Sequence, residues 1–526
     1  MCTQNDVGQS RCSLARHNLQ FEAPVLQSRS SFTSSLLKLA SGSVSAQILT
    51  VLSAPLIARL FLPAAFGTAA LFTSITTVIG AVVTLRYEYS IMLPASDDDA
   101  ANSMAVSLSL VLLTSILTML AIIAAEGPFV RLIHAPELFT YMRIVPLGVA
   151  LIGVNLTVVV WITRAKEFGW LTAAQIAGVA LSVAMQIGAG LLGYTSAGVL
   201  IIASLLSVAV QAGILAGRLC LHSWPLLVAS IRPRRMLHAF RRYRNFPKFS
   251  MASTVLNNVS VYLPHFFLSA FFSPSVVGYY ALGNRLLRMP ANLIGNNVAT
   301  IFFQHAAEAR RTNTLSVSVK LLLRYMIHLI VFPSLVLALV GEDVFVVILG
   351  REWAEAGVYT QILTFWLLFW FISTPLAMVL TVLEKQALEL RLMLLVLISR
   401  LASLVIGGLT GSVHITLWLF SGSGVLVYGY YCLTVLRHCL VPRRYFMNTL
   451  FADVLKFLPA GIILVALNYL GVSAVIKVAS AAILVLMYFS NIARTDPRLR
   501  SVLNNSIGQL GYWLRIKKGV PCPPLP

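Results

Sequence analysis

Four polar residues in one apolar stretch have a spacing that would place them together on a helix. Arg285, Arg288, Asn292 and Asn296 are three, four and four positions apart, so they fall within an arc of about 80°. Lipid cannot solvate guanidinium or amide groups, so a polar stripe along a spanning helix must face water or other polar groups. The arginines could instead extend outward to the headgroups, but the two asparagines lie deeper.

Two further apolar stretches carry polar faces that could line the same hydrated space. The first predicted span and the seventh are the most polar of all. A central, water-filled cavity is therefore expected where these helices meet the Arg–Asn stripe. The polar residues are Ser43, Gln47 and Thr50 in the first span, and Ser250, Ser253, Thr254 and Asn257 in the seventh.

Other charges in the apolar stretches are few. Arg400 follows LMLLVLIS and needs a partner or a path to water, so both helix packing and a transport role fit it. Arg86 and Glu88 lie close together at an inner helix end, which favours a local salt bridge. No Asp or Glu falls in the middle of any predicted span. Glu88, Glu308 and Glu384, near inner ends, are weak candidates for a proton site.

The amino-acid composition indicates which kind of structural element holds these polar groups in place. The chain has 526 residues, of which 58% are hydrophobic and only 11% charged, whereas soluble proteins carry about 25% charged residues. A disordered chain, a secreted disulfide scaffold and an ordinary soluble enzyme are thereby excluded. A bilayer span takes about 20 apolar residues, and fourteen stretches qualify: 36–60, 67–85, 103–125, 142–163, 169–192, 197–219, 249–272, 277–303, 321–341, 358–382, 392–411, 414–436, 453–470 and 474–493.

The positions of Lys and Arg predict the orientation. With both termini in the cytoplasm, only seven of the 39 basic residues fall outside and one, Arg400, within a span. The densest basic segment, RPRRMLHAFRRYR at 232–244, is then internal. The net charge of +21 is thus interpreted as membrane topology, with anion or anionic-lipid binding as the alternative. The seven external residues are Arg59, Arg131, Arg143, Arg285, Arg288, Arg351 and Lys477.

The termini and the cysteines carry less information. Residues 1–34 are polar and lack the apolar core of a signal peptide. The six cysteines show no CxxC spacing and lie in membrane or cytoplasmic segments, which predicts reduced thiols and no metal site.

A short internal repeat indicates two related halves. LFLPAAFG at 60–67 matches FFSPSVVG at 271–278, so that Pro63 pairs with Pro274 and Gly67 with Gly278. The predicted fold is an all-α polytopic membrane protein with about 14 transmembrane helices: two pseudo-repeated six-helix halves and two C-terminal helices around a central cavity. The predicted segments are an N-terminal cytoplasmic tail (1–34), the first half (35–219), a basic cytoplasmic linker (220–248), the second half (249–437), helices thirteen and fourteen (438–493) and a cytoplasmic tail (494–526).

Several motifs resemble a known family. Their order and spacing between residue 35 and about 440 are similar to the oligosaccharide flippase family of polysaccharide biosynthesis proteins, in the multidrug/oligosaccharidyl-lipid/polysaccharide (MOP) exporter superfamily. The stretches are ARLFLPAAFG (58–67), LRYEYSIMLPASDDDAAN (85–102), GYYALGNRLLRMPANLIGN (278–296), FFQHAAEAR (302–310), LGREWAEAGVYTQIL (349–363) and PLAMVLTVLEKQ (375–386).

The resemblance implies a secondary transporter, not an enzyme, in the bacterial cytoplasmic (inner) membrane. It would flip undecaprenyl-diphosphate-linked oligosaccharide repeat units by alternating access, for the synthesis of O-antigen, capsule or exopolysaccharide. Its implied partners are that lipid-linked substrate, membrane lipids, and polysaccharide polymerase and chain-length proteins, with no cofactor, metal or nucleic acid. Relatives line the cavity with cations from the first, second, seventh and eighth helices, which carries over to Arg285, Arg288, Arg59 and Arg86.

The chemistry of such a substrate fits the polar residues. Arginine presents a rigid fork of donors to phosphate oxygens. Asparagine, glutamine and serine exchange hydrogen bonds with sugar hydroxyls, which gives Gln47, Asn257, Asn292 and Asn296 a role.

Three other functions remain open. A lipid II flippase shares the lipid pyrophosphate. A multidrug exporter would want buried carboxylates, and the first and seventh spans contain no Asp or Glu. A membrane polymerase or ligase needs a sizeable outer catalytic loop, whereas the longest outer loops, near 126–141 and 342–357, are short.

Overall fold

The computed structural model describes residues 45–133, 136–290 and 296–495, and every regular element in these ranges is helical. The all-α membrane fold is thereby confirmed. Helices suit a bilayer because each satisfies its own backbone hydrogen bonds. Contacts divide the chain into two compact units, Met1–Leu282 and Gly283–Pro526, with the division inside one helix, α10.

The first unit holds a short apolar helix, the long helices of the N-terminal half and a basic surface helix. Its elements are α1 (Ser45–Leu60), α2 (Pro63–Gly80), a 3-10 segment (Tyr87–Met92), α3 (Asp97–Ile133), α4 (Pro136–Met142), α5 (Val145–Arg164), α6 (Phe168–Leu191), α7 (Ala197–Ser230), α8 (Pro233–Arg242), α9 (Met251–Phe271) and the beginning of α10 (Pro274–Pro290).

The second unit is built around α12 and α13, which pack along each other and bury the largest apolar cluster of this unit. A second cluster joins α12 to the C-terminal pair α16 and α17. The elements are α11 (Asn296–Arg311), α12 (Leu315–Leu349), α13 (Ala354–Val382), α14 (Gln386–Leu409), α15 (Val413–His438), α16 (Arg443–Tyr469) and α17 (Ala474–Thr495).

Eleven of the described helices are long and apolar enough to cross a membrane. They coincide with eleven of the predicted spans. The other three predicted spans correspond to α1, to α9 and to the region of α10 and α11, and the described parts of α1, α10 and α11 are each shorter than 18 residues. The total of about 14 stays a prediction.

The eighth predicted span, 277–303, is described in two parts. The chain forms two described helices there, Pro274–Pro290 and Asn296–Arg311, and residues 291–295 lie outside the described part. A single continuous helical stripe is therefore supported only as far as Pro290.

The two copies of the internal repeat contact each other. A Cβ atom on Gly67 of α2 would lie 1.7 Å from the carbonyl oxygen of Pro274, and one on Gly278 of α10 would lie 1.9 Å from that of Pro63. The contact is reciprocal, as expected for two equivalent turns related by a local twofold axis. Proline begins each helix because its fixed φ suits the first turn. Glycine follows four residues later because only a residue without a side chain permits this approach.

The predicted basic linker contains a helix. In α8 the arginines lie on one face and the apolar residues on the other, and Ala239 is buried. Tyr87 donates a hydrogen bond of 2.8 Å to the Phe240 carbonyl oxygen, and the two rings stack 5.2 Å apart. These contacts fix α8 against the turn that follows α2.

Candidate functional site

Arg285 and Arg288 lie one helical turn apart on α10, as the sequence predicts. The side chain of Arg285 is exposed, whereas that of Arg288 is half-buried. The guanidinium carbon of Arg288 lies 4.5 Å from the ring centroid of Trp370 on α13. A cation held over an indole face is stabilised electrostatically and fixed in position. Arg288 is thus a cation held in a fixed position, and Arg285 is an accessible one.

Close packing of α10 on α13 makes this stacking possible. A Cβ atom on Gly283 would lie 2.7 Å from the Thr360 hydroxyl, so the helices approach at a position without a side chain. The neighbouring Asn284 is buried, and its Oδ1 has no hydrogen-bond partner among the described residues. Such an oxygen can accept a hydrogen bond from water or a ligand hydroxyl. Sequence reasoning missed Asn284, although its spacing of four from Arg288 is helical.

The other predicted binding residues are only partly described. Asn292 lies outside the described residues, and only the backbone of Asn296 is described, at the start of α11. In the first unit, Gln47 on α1 is half-buried, while Arg59 on α1 and Asn257 on α9 are exposed. Their roles in ligand binding stay predictions.

Arg86 makes local contacts. Its backbone is left-handed, with φ of 67°, and its Nη1 lies 3.3 Å from Oε1 of the buried Glu88. Its Nη2 donates to the Tyr89 hydroxyl at 3.0 Å, and the guanidinium carbon lies 4.5 Å from that ring. The salt bridge expected from the sequence is therefore present. A role for Arg86 in substrate binding stays a prediction.

Arg400 is buried among aromatic side chains. It donates a hydrogen bond of 3.0 Å to the Tyr428 hydroxyl. Its guanidinium carbon lies 5.5 to 5.9 Å from the rings of Trp366, Phe420 and Tyr428. Of the two interpretations left open by the sequence, these contacts support helix packing, because they tie α14 to α13 and α15.

One acidic residue escaped the sequence-based interpretation. Asp453 was expected at the edge of the thirteenth span, but α16 begins at Arg443, so Asp453 lies ten residues inside a membrane helix. It is fully buried. The helix therefore begins ten residues before the edge predicted for the thirteenth span, and the Asp453 carboxylate lies within a helix long enough to cross a membrane. A hydropathy window places a helix end where charges begin, whereas α16 continues through them.

Comparison with known proteins agrees with this architecture. Residues 56–358 match the model of a family described as "Polysaccharide biosynthesis protein". No curated protein matches the sequence at a significant level.

Solved structures share the fold at low sequence identity. "Lipid II flippase MurJ, inward closed conformation" has a TM-score of 0.66 and 13% identity, covering 87% of this chain and 98% of its own. An inward-facing multidrug resistance MATE family transporter of the MOP superfamily has a TM-score of 0.59 and 14% identity, covering 75% and 94%. A MOP superfamily transporter from Pyrococcus furiosus, described as having a binding pocket of reverse polarity, has a TM-score of 0.51 and 14% identity, covering 77% and 95%.

The fold alone follows from these structural similarities, because each identity is low. The match to the family model supports the stronger conclusion of family membership, because it covers more than half of the 526 residues. It begins within α1, ends within α13 and includes the reciprocal glycine contact, α8 and the Arg285–Arg288 pair. The chain therefore belongs to the polysaccharide biosynthesis protein family and has the fold of MOP-superfamily transporters.

Proposed function

We propose that the protein is a flippase for undecaprenyl-diphosphate-linked oligosaccharide repeat units. It moves them across the bacterial cytoplasmic membrane by alternating access, for the synthesis of O-antigen, capsule or exopolysaccharide. The observation that carries this proposal is the cation pair Arg285 and Arg288 on a membrane helix, in a chain of this family. The protein acts as a transporter and not as an enzyme, and polymerase and chain-length proteins take up its product.

The chemistry of the pair suits the head of such a lipid. A diphosphate carries negative charge, and a guanidinium binds two of its oxygens at once. Arg288, held over Trp370, gives one fixed contact, while Arg285 is accessible for a second. The unpartnered Oδ1 of Asn284 suits a sugar hydroxyl, which donates to it. A cationic drug would be repelled by the same two arginines.

Proteoliposomes loaded with defined donors test this proposal. Purified protein should move a fluorescent, diphosphate-linked oligosaccharide lipid to the leaflet where a membrane-impermeant reagent reaches it. Lipid II and a cationic dye serve as competing substrates in parallel vesicles. Movement of lipid II without movement of the oligosaccharide lipid would replace the proposal by peptidoglycan precursor export, and movement of the dye alone would replace it by drug export.

The proposed orientation can be tested by cysteine labelling. His238 on α8 and Glu352 after α12 are both exposed, and the topology places them on opposite sides of the membrane. In a cysteine-free background, His238→Cys should react with an impermeant maleimide only after the inner face is opened. Glu352→Cys should react in intact cells. The neighbouring Trp353 is fully buried and unsuitable as a probe. Labelling of both residues from the same side would refute the topology.

A further inference from the structure

The buried Asp453 belongs to a polar cluster that joins two membrane helices. Its Oδ2 lies within hydrogen-bond distance of Nδ1 of His328 on α12, and its Oδ1 accepts a hydrogen bond of 2.8 Å from Nζ of Lys456. Arg324, one turn before His328, directs Nε at its Nε2 at 3.3 Å. Asp453 is about 15 Å along α16 from Arg443, at 1.5 Å per residue. A buried ionisable group within a helix of membrane-spanning length is a candidate for function.

The hydrogen-bond pattern assigns the proton on the His328 ring. Arginine can only donate, so Nε2 of His328 accepts from it and carries no hydrogen. The ring is therefore neutral, with its hydrogen on Nδ1 directed at the Asp453 carboxylate. The lone pair on Nε2 is the one place on the imidazole where another proton can add.

Access to the cluster is one-sided among the described residues. Arg324 is exposed and Lys456 is 52% exposed, whereas His328 and Asp453 are 13% and 0% exposed. On α17, the Tyr488 hydroxyl donates to the His328 carbonyl oxygen at 2.9 Å. The ring of Tyr488 stacks on Phe332 at 4.1 Å, and Phe457 packs edge-on against Phe332. This apolar layer packs on the far side of the cluster, so the exposed side is the one that carries Arg324 and Lys456.

We propose that His328 and Asp453 form a proton-binding site whose occupancy controls the α12–α16 contact and, through it, the rate of transport. A proton from water on the Arg324 side adds to the lone pair of Nε2, which ends the contact with Arg324. Asp453 stabilises the imidazolium that forms, while the positive charges of Arg324 and Lys456 oppose it. Tyr488 is the one titratable group that α17 is seen to direct at the pair.

A change at this site has a route to the substrate-binding residues. α12 packs along α13 over most of its length, and α13 carries Trp370, over which Arg288 is held. Protonation ends the Arg324–His328 contact within α12 and strengthens the His328–Asp453 contact, which ties α12 and the neighbouring α13 more firmly to α16, so that these helices move together in transport. This last step rests on the proposed flippase function, whereas proton binding itself does not.

The first experiment measures proton binding without any substrate. His328 ring signals in full-length protein labelled with isotopic histidine are identified by their absence in His328→Gln. If a proton binds at Nε2, these signals should change when the pH is lowered from about 8 to about 5. In Asp453→Asn the midpoint should move to lower pH by about one unit or more, because the carboxylate is gone while both cations remain. A ring that stays neutral through this range would overturn the proposal, whether or not the protein is a flippase.

The second experiment measures flipping at about pH 6 and pH 8 in proteoliposomes, with the pH changed only on the Arg324 side. The wild-type rate should be at least about threefold higher at the lower pH, and His328→Gln should remove this difference. Asp343→Asn is the matched control, because it removes another acidic partner from α12 by breaking a 2.8 Å ion pair to Lys477 on the neighbouring helix α17. If Asp343→Asn abolished the pH difference as fully as His328→Gln, the cluster would be only a structural link, and the proposal would be wrong.

Discussion

Gly67→Ala is expected to prevent the protein from accumulating in the membrane. The added Cβ would lie 1.7 Å from the Pro274 carbonyl oxygen and 3.0 Å from the Gly278 backbone nitrogen. Neither atom belongs to a flexible side chain, so whole helices must separate. Overpacking lowers the free energy of unfolding by about 1–3 kcal/mol where neighbouring side chains can move. The loss caused by Gly67→Ala should lie at or above the upper end of this range. Gly278→Ala should have the same effect, because its Cβ meets the Pro63 carbonyl oxygen at 1.9 Å.

The measurement is membrane abundance together with thermal unfolding of the solubilised protein. Gly213→Ala on α7 is the control, since nothing lies within 4 Å of its added Cβ and alanine favours a helix. The double variant Gly67→Ala, Gly278→Ala should be little worse than either single variant, because both insert an atom into one contact. Normal abundance and an unchanged unfolding temperature in both single variants would contradict the reciprocal packing of the repeats.

The second large effect is expected from Arg285→Ala combined with Arg288→Ala. A charge-assisted hydrogen bond contributes about 1.5–3 kcal/mol, which corresponds to about tenfold to a hundredfold in transport rate. The double variant should therefore have a transport rate more than about a hundredfold lower. Abundance should fall little for Arg285→Ala, because that side chain is exposed. It should fall further for Arg288→Ala, which uncovers Trp370. Arg285→Lys keeps the charge without the fork and should retain part of the activity.

Polymer production in cells and flipping by the purified protein are the two readouts, both corrected for protein amount. Arg351→Ala provides the control, because Arg351 is an exposed arginine in a second 3-10 segment, Arg351–Trp353, which follows α12. Trp370→Leu should resemble Arg288→Ala, since either change removes the stacked pair. Full polymer production by the double variant would mean that these arginines contact only lipid headgroups and do not bind the substrate. Gln47, Arg59 and Asn257 would then be the residues to test.

The sequence alone determined the class of protein, the approximate positions of the long apolar helices and the family. Transfer of apolar side chains into lipid depends on local composition, so a run of about 20 residues such as 321–341 predicts a span without any knowledge of its neighbours. The repeated Pro63–Gly67 and Pro274–Gly278 patterns are likewise visible as spacing. That the two glycines lie against each other's turns required coordinates.

The tertiary structure decided which charged side chains are buried and which residues they contact. The charges around Asp453 predict the end of a membrane span. Packing of α16 on α12 nevertheless buries Asp453 against His328, which is 125 positions away in the sequence. Arg400 could not be assigned from LMLLVLIS, because its aromatic neighbours lie on α13 and α15. Arg288 and Trp370 also lie far apart in the sequence, on α10 and α13. Hydropathy and periodicity measure how each segment interacts with lipid and with itself, whereas the partner of a buried charge depends on which helices pack together.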